Sequence, residues 1–83
     1  MPDAPADSPT RLRKHSVSIA GHRTSVTLEA AFWQALTALA KQRGTTVAGL
    51  IAEIDDARAA DPAAPNLSSA LRVFVLQSSA GQN

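Results

Sequence analysis

Apolar and hydroxyl-bearing side chains alternate along the segment KHSVSIAGHRTSVTL, which begins at Lys14. Val17 and Ile19 alternate with serines, and Val26 and Leu28 alternate with a serine and a threonine. A period of two residues that is rich in β-branched side chains is typical of strands with one buried face. The pattern predicts two short strands, at residues 15–20 and 23–28.

The alternation is interrupted by Ala20, Gly21 and His22. Glycine readily adopts the positive φ of a tight turn, which favours a hairpin at this point. A single bent ribbon has the same hydrophobic pattern. The sequence therefore leaves the relation between the two strands open.

After residue 28 the apolar period becomes that of a helix, predicted at residues 29–43. One face of this helix is formed by Phe32, Leu36, Leu39 and Ala40. Basic residues in the last turn and Gly44 directly after it are typical of a helix C-terminus. Trp33 broadens the apolar face, so we expect Phe32 and Trp33 to lie in the core or in a subunit interface.

A second helix is predicted at residues 46–58, where Thr45 and Thr46 offer a capping hydroxyl. Its apolar face consists of Val47, Leu50, Ile51 and Ile54. The segment AADPAAP then predicts a loop, because proline does not continue a helix. The segment NLSSALRVFVLQ has helical spacing at Leu67, Ala70, Leu71 and Phe74, which predicts a third helix at residues 66–77.

The domain organisation follows from these segments. Residues 1–13 read as a disordered tail because of their prolines and their low hydrophobicity, residues 14–77 as one domain, and residues 78–83 as a second tail. The 83 residues include no cysteine, which excludes disulfides and thiolate metal sites. A domain of this size buries a small core, so we expect a partner chain to add stability.

Charge and motifs narrow the function. The net charge is +1, but residues 11–23 hold four basic side chains and no acid, and residues 53–61 hold an acidic cluster that we interpret as a solvated face. A basic patch is typical of a protein that binds a polyanion. The sequence has no nucleophile–base pair and no glycine-rich phosphate loop, and His15 and His22 lack a third metal ligand. We expect no enzymatic activity, no cofactor, no metal and no membrane span, and a cytoplasmic protein.

The second predicted strand is too short to bury its apolar face alone. The N–H and C=O groups along its edge are expected to pair with another strand. The simplest partner is the same strand of a second copy, in a two-fold antiparallel ribbon. Val26 and Leu28 then face the helices, and Arg23, Ser25 and Thr27 face outward. The expected core and dimer interface comprises Val26, Leu28, Phe32, Leu36, Leu39, Leu50, Ile51 and Ile54.

The order of a short strand, a helix, Gly44 and a hydroxyl-capped helix resembles the ribbon–helix–helix family of bacterial repressors and antitoxins. The similarity runs without gaps through RTSVTLEAAFWQALTALAKQRGTTVAGLIAEI, from Arg23 to Ile54. The segment NLSSALRVFVL resembles the added C-terminal segment of a subfamily of short bacterial DNA-binding proteins. The resemblance implies a fold that is mainly α with a short β-ribbon, a homodimer, and a third C-terminal helix.

The resemblance also implies the binding residues. The outward side chains Arg23, Ser25 and Thr27 correspond to the family's base readers in the major groove of double-stranded DNA. The start of the second helix, at Thr45, Thr46 and Val47, corresponds to a phosphate-binding site. Many family members have a basic residue where this chain has Val47 or Ala48, so we expect modest affinity. Further phosphate contacts are expected from a flexible arm with Arg11, Arg13 and Lys14.

The main function that these features predict is sequence-specific transcriptional repression. The alternative is an antitoxin-like or adaptor module that displays its C-terminal segment to a partner protein. An apolar cluster in this segment favours this alternative, because it is apolar on several sides. It consists of Leu71, Val73, Phe74, Val75 and Leu76. The same cluster also suits packing against the chain's own dimer.

Overall fold

The structure is a computed structural model that describes residues 8–61, 63 and 66–80. Two strands precede three helices. The elements are β1 (Leu12–Ile19), β2 (His22–Glu29), α1 (Ala30–Gln42), α2 (Val47–Ala59) and α3 (Leu67–Ala80). The predicted architecture, mainly helical with a short β-ribbon and a third C-terminal helix, is confirmed.

Both ends of the folded region extend beyond their predicted bounds. The N-terminal tail predicted at residues 1–13 lies outside the described residues up to residue 7, whereas β1 already begins at Leu12. Backbone pairing with the end of β2 extends β1 without an apolar pattern. The C-terminal tail predicted from residue 78 lies outside the described residues only at 81–83, because α3 continues to Ala80. No glycine or proline occurs between Leu67 and Ala80, so neither residue type interrupts this segment.

β1 and β2 form an antiparallel hairpin, which answers the question that the sequence left open. Ile19 lies opposite His22, so only Ala20 and Gly21 form the turn. Both turn residues have positive φ, at 52° and 81°. Type I′ turns have this signature, and their twist matches the twist of the paired strands.

The inner face of the hairpin packs against all three helices. Leu28 and Leu36 are fully buried there, as are Leu50 and Ile51 of α2. Truncation of such side chains to alanine typically costs about 2–5 kcal/mol. The buried apolar cluster consists of Val17, Ile19, Val26, Leu28, Leu36, Ala40, Leu50, Ile51, Leu71 and Val75. The remaining residues expected in the core, Phe32, Leu39 and Ile54, are partly buried against this cluster.

The connection between α1 and α2 begins with capping bonds at the end of α1. Gly44, at a φ of 72°, follows the C-cap of α1. The Gly44 N–H donates to the Lys41 carbonyl at 3.1 Å, and the Thr45 N–H donates to the Ala40 carbonyl at 2.9 Å. This pair of bonds is the Schellman motif.

The N-terminus of α2 is capped as the sequence predicts. Thr46 Oγ1 accepts from the Gly49 N–H at 3.0 Å. A Cβ on Gly49 would lie 2.6 Å from Thr45 Oγ1, which explains glycine at this helical position.

The third helix completes the core. Leu71 and Val75, which are one helical turn apart, are buried, and Phe74 is partly buried beside the Arg43 guanidinium. The guanidinium carbon lies 5.0 Å from the centre of the Phe74 ring, within the range of a cation–π contact. The β-prone run at residues 73–75 is helical because helical spacing places Phe74 and Val75 on the core side together with Leu71, while Val73 is exposed.

His15 lies on the inner face, opposite Val26, and its ring stacks on Trp33. The two ring centres are 3.6 Å apart, and the rings are nearly parallel. Nε2 of His15 is buried without a hydrogen-bond partner among the described residues. Burial and, secondarily, the nearby charge of Arg13 lower the pKa of His15 below its ordinary value.

The turn supplies a first prediction. An alanine at positive φ is disfavoured by roughly 1 kcal/mol, whereas asparagine tolerates this conformation well. We expect Ala20→Asn to raise the free energy of unfolding by about 0.5–1 kcal/mol in urea titrations. Ala60→Asn is the control, because Ala60 is exposed at a φ of −78°. An equal effect of the two substitutions would contradict the turn assignment.

The stacked histidine supplies a second prediction. Because folding lowers the pKa of His15, the unfolded chain binds more protons than the folded chain in mildly acidic solution, and stability must fall as the pH falls. We expect a lower free energy of unfolding at about pH 5.5 than at about pH 7.5. His15→Phe keeps an aromatic ring at this position and is expected to remove most of that difference. An unchanged pH dependence in this variant would refute the assignment.

Candidate nucleic-acid interface

The hairpin has a second face that points away from the helices, which we call the outer face. Side chains alternate between the two faces of a strand, and the register therefore assigns four residues of each strand to the outer face. These are the terminal pair Leu12 and Glu29, and six polar residues between that pair and the turn. None of the six is buried, and Thr24, which alternates with them, lies on the opposite face. The six are Lys14, Ser16 and Ser18 on β1, and Thr27, Ser25 and Arg23 opposite them on β2.

The outer face combines two cations with four hydroxyl groups. Lys14 and Arg23 carry the positive charges, and Nη1 of Arg23 donates to Ser16 Oγ at 3.4 Å. This long contact holds the guanidinium loosely across the face. Cations and hydroxyls are the groups that proteins use most often for phosphates and for base edges.

The one carboxylate with the same alternation, that of Glu29, lies at the end of β2 and is paired. Its Oε1 accepts from Nε–H of Arg72 at 2.9 Å. The hydrogen bond from Arg72 lowers the pKa of Glu29 below its ordinary value. The pairing offsets the negative charge at this end of the hairpin.

The backbone of β2 has an open edge, which we call the β2 edge. The Ala30 N–H donates to the Arg11 carbonyl at 2.9 Å, just beyond the end of the paired strands. In an antiparallel pair, opposite residues that exchange hydrogen bonds alternate with opposite residues that do not, so this bond shows which pairs exchange them. Residues 22, 24, 26 and 28 therefore exchange bonds with β1, and residues 23, 25 and 27 direct their N–H and C=O groups away from it. Among the described residues, the bond recorded on the β2 edge is from Ser68 Oγ to the Thr27 carbonyl, at 3.0 Å.

α3 is attached to β2 at two points. One is the bond from Ser68 to Thr27, and the other is the ion pair between Arg72 and Glu29. Ser68 and Arg72 are four residues apart, so they lie on the same side of α3. The third helix therefore supports the strand whose side chains form half of the outer face.

The predicted phosphate site at the start of α2 has the expected local geometry. Thr46 is the N-cap, and its hydroxyl satisfies the Gly49 N–H. The N–H groups of Val47 and Ala48 have no hydrogen bond recorded within the described residues. Unpaired N–H groups and the positive end of the helix dipole suit an anion.

The predicted basic arm is part of the hairpin. Lys14 lies on the outer face, opposite Thr27, whereas Arg13 is opposite the buried Leu28 and so has the alternation of the inner face. Arg11 directly precedes β1, and its carbonyl is bonded to α1. The expectation of a flexible arm is therefore wrong for these three residues, because backbone hydrogen bonds hold them in or against the hairpin.

Ser16 and Ser18 share the outer face, although neither was predicted from the sequence as a binding residue. The signal that identifies them is the two-residue turn, since it sets which residues of β1 lie opposite Arg23 and Ser25. The two attachments of α3, at Ser68 and Arg72, have no local signal in the sequence.

Two other kinds of feature are missing from the described part of the chain. There, no three side chains of histidine, cysteine, aspartate or glutamate are grouped as a metal site requires. Likewise, within those residues no helix has both the length and the apolar character needed to cross a membrane.

Comparison with known proteins identifies the family. A family model described as a ribbon-helix-helix domain matches residues 12–79, which include both strands, α1, α2 and all but the last residue of α3. The corresponding searches of curated proteins and of solved structures found no match. Proteins of this family are typically non-enzymatic, bind DNA and regulate transcription. The chain therefore belongs to the ribbon–helix–helix domain family of DNA-binding regulators.

Proposed function

We propose that this protein is a homodimeric transcriptional repressor that places two antiparallel β2 strands in the major groove of a specific DNA site. The observation that carries the proposal is the coincidence of two properties in the same three residues. Arg23, Ser25 and Thr27 present polar side chains on the outer face, and their backbone groups form the open β2 edge.

The β2 edge supports pairing with a second copy. Two antiparallel strands centred on Ser25 would place Ser25 opposite the same residue of the other chain, and Arg23 opposite Thr27. These are the residues whose N–H and C=O groups point away from β1. The Thr27 carbonyl accepts from Ser68, and its second lone pair is available to the other chain.

The side chains of the paired strands are suited to base recognition. Arginine binds O6 and N7 of guanine with two hydrogen bonds, so Arg23 is the main candidate for reading a guanine. Serine and threonine hydroxyls bind donors and acceptors alike, which gives Ser25 and Thr27 a broader recognition. A two-stranded ribbon fits the major groove, whose width is about 12 Å.

Phosphate contacts would fix the position of the dimer on the duplex. We assign them to the start of α2, at Thr45, Thr46 and Val47, and to the basic residues Arg11, Arg13 and Lys14. Arg13 serves this role less directly, since it has the alternation of the inner face. Neither Val47 nor Ala48 carries a charge, so we expect modest affinity at physiological salt.

A second candidate function is binding of a partner protein through α3. It is favoured by the exposure of Val73 and Leu76, at 47% and 67%. Both lie outside the core that Leu71 and Val75 enter. A groove of about 580 Å³ between α2 and α3, lined in part by Leu50, Ile54, Val73 and Phe74, lies on the same side as Val73. Such binding would survive Arg23→Ala, whereas DNA binding would not.

Arg23→Ala tests the DNA proposal. Loss of a two-bond contact to guanine is expected to weaken binding to the selected site by about 1–3 kcal/mol per protomer and to relax its sequence preference. The site is first selected from a random DNA pool, and binding is measured by electrophoretic mobility shift at several salt concentrations. Arg43→Ala removes the same charge next to α3 and serves as the control.

A protein that shifts no DNA at low salt would contradict this function. So would equal effects of Arg23→Ala and Arg43→Ala, because they would show a general effect of charge. Specific binding that depends on Arg23 supports major-groove recognition by the outer face.

Ser25→Pro tests the dimer. Proline removes the N–H at the centre of the β2 edge, and that N–H has no role in the hairpin. We expect this variant to sediment as a monomer where the wild type is a dimer. Ser16→Pro is a matched control that should remain a dimer, because Ser16 lies opposite Ser25 and directs its N–H to the other edge of the hairpin. A monomeric wild type, or equal dissociation of the two variants, would contradict the arrangement.

A further inference from the structure

We propose that β1 is a second DNA-binding strand, which contacts the phosphates on either side of the groove through Lys14, Ser16 and Ser18. The inference rests on the proposed function. It concerns the part of the outer face that lies beside the base-reading strand. The proposed phosphate contacts therefore come from β1, a strand held in the hairpin, and not from a flexible arm.

The position of β1 in the dimer follows from the hairpin. β1 occupies one edge of β2, so pairing of two β2 strands through their open edges gives a four-stranded sheet with a β1 strand at each margin. Neighbouring strands are about 4.8 Å apart, which places the two β1 strands about 14 Å apart. The two β2 strands in the middle of this sheet are only about 4.8 Å apart.

The major groove is about 12 Å wide, so a sheet centred on it has its marginal strands above the phosphates at the two rims. Side chains on the outer face of β1 then meet phosphate oxygens, while those of β2 meet base edges. The alternation of the hairpin places Lys14, Ser16 and Ser18 on the same face as Arg23, Ser25 and Thr27.

The chemistry of the β1 residues suits phosphate. All three are exposed, and each offers a donor: the ammonium group of Lys14 and the hydroxyl groups of Ser16 and Ser18. No acid occurs among residues 11–23. Short hydroxyl side chains let the backbone of a strand come close to the sugar–phosphate chain, and hydroxyls are common phosphate donors.

Lys14→Ala is the first test. Each phosphate contact contributes about 0.9 to the slope of the logarithm of affinity against the logarithm of salt concentration. Loss of one contact from each protomer is therefore expected to lower the magnitude of that slope by about 2 and to leave the preferred sequence unchanged. Lys41→Ala removes the same charge from the exposed end of α1 and is expected to leave the slope unchanged.

Ser18→Glu is the second test, since it puts a carboxylate above a phosphate. It is made in the Arg23→Ala background, because Ser18 lies opposite Arg23 and the new carboxylate would otherwise pair with that guanidinium. We expect the remaining DNA binding to weaken by about tenfold or more, because like charges brought together cost several kcal/mol. Ser79→Glu is the control, because it adds the same charge at the end of α3. Circular dichroism and sedimentation of every variant establish that the fold and the dimer are retained.

The outcomes separate this inference from the proposed function. If the wild type binds its site through Arg23 but Lys14→Ala equals Lys41→Ala and Ser18→Glu equals Ser79→Glu, β1 does not contact DNA and the inference is wrong. The phosphate contact assigned to Lys14 then fails with it, whereas base recognition through Arg23 stands. If the wild type binds no DNA, the proposed function and the inference both fail. Loss of sequence preference in Lys14→Ala would also overturn it, because that result indicates base contact.

Discussion

The two-residue turn at Ala20 and Gly21 is the constraint on which the rest of the structure depends. It fixes the register of β1 against β2, and a slip of one residue would move every side chain of one strand to the other face. With this register the buried apolar side chains of both strands, at positions 17, 19, 26 and 28, face the helices together. The polar side chains of both strands form one continuous outer face as a consequence.

The helices contact this hairpin on its inner face and along the β2 edge. α1 follows β2 directly, and the Schellman motif at Gly44 returns the chain so that α2 packs beneath the hairpin. α3 is then bound to the last residues of β2 through the backbone carbonyl of Thr27 and the side-chain carboxylate of Glu29. Strand and helices share one core, so the orientation of the outer face depends on apolar packing as much as on its own residues.

Local features of this fold could be predicted from the sequence. The apolar spacing predicted all three helices, Gly44 predicted the end of α1, and Thr46 predicted the cap of α2. The hairpin could not be distinguished from a bent ribbon, because both have the same alternation. The start of β1 was missed because its pairing is made by backbone groups, which any residue supplies.

The candidate site could be predicted in part. Alternation identified the polar side of β2, but the contribution of β1 depends on the register that the turn sets. The attachments of α3 join residues 41 and 43 positions apart in the chain, and such contacts leave no periodic signal.

One consequence concerns how such a protein diversifies. At positions 23, 25 and 27 the side chain faces outward and the peptide group faces sideways, so two roles are separated within each residue. In the proposed dimer on DNA, substitutions there would alter the recognised sequence and leave the peptide groups that pair the subunits intact. A duplicated copy that acquires a new target would therefore still pair with its ancestor, and the mixed dimer would recognise a hybrid of the two half-sites.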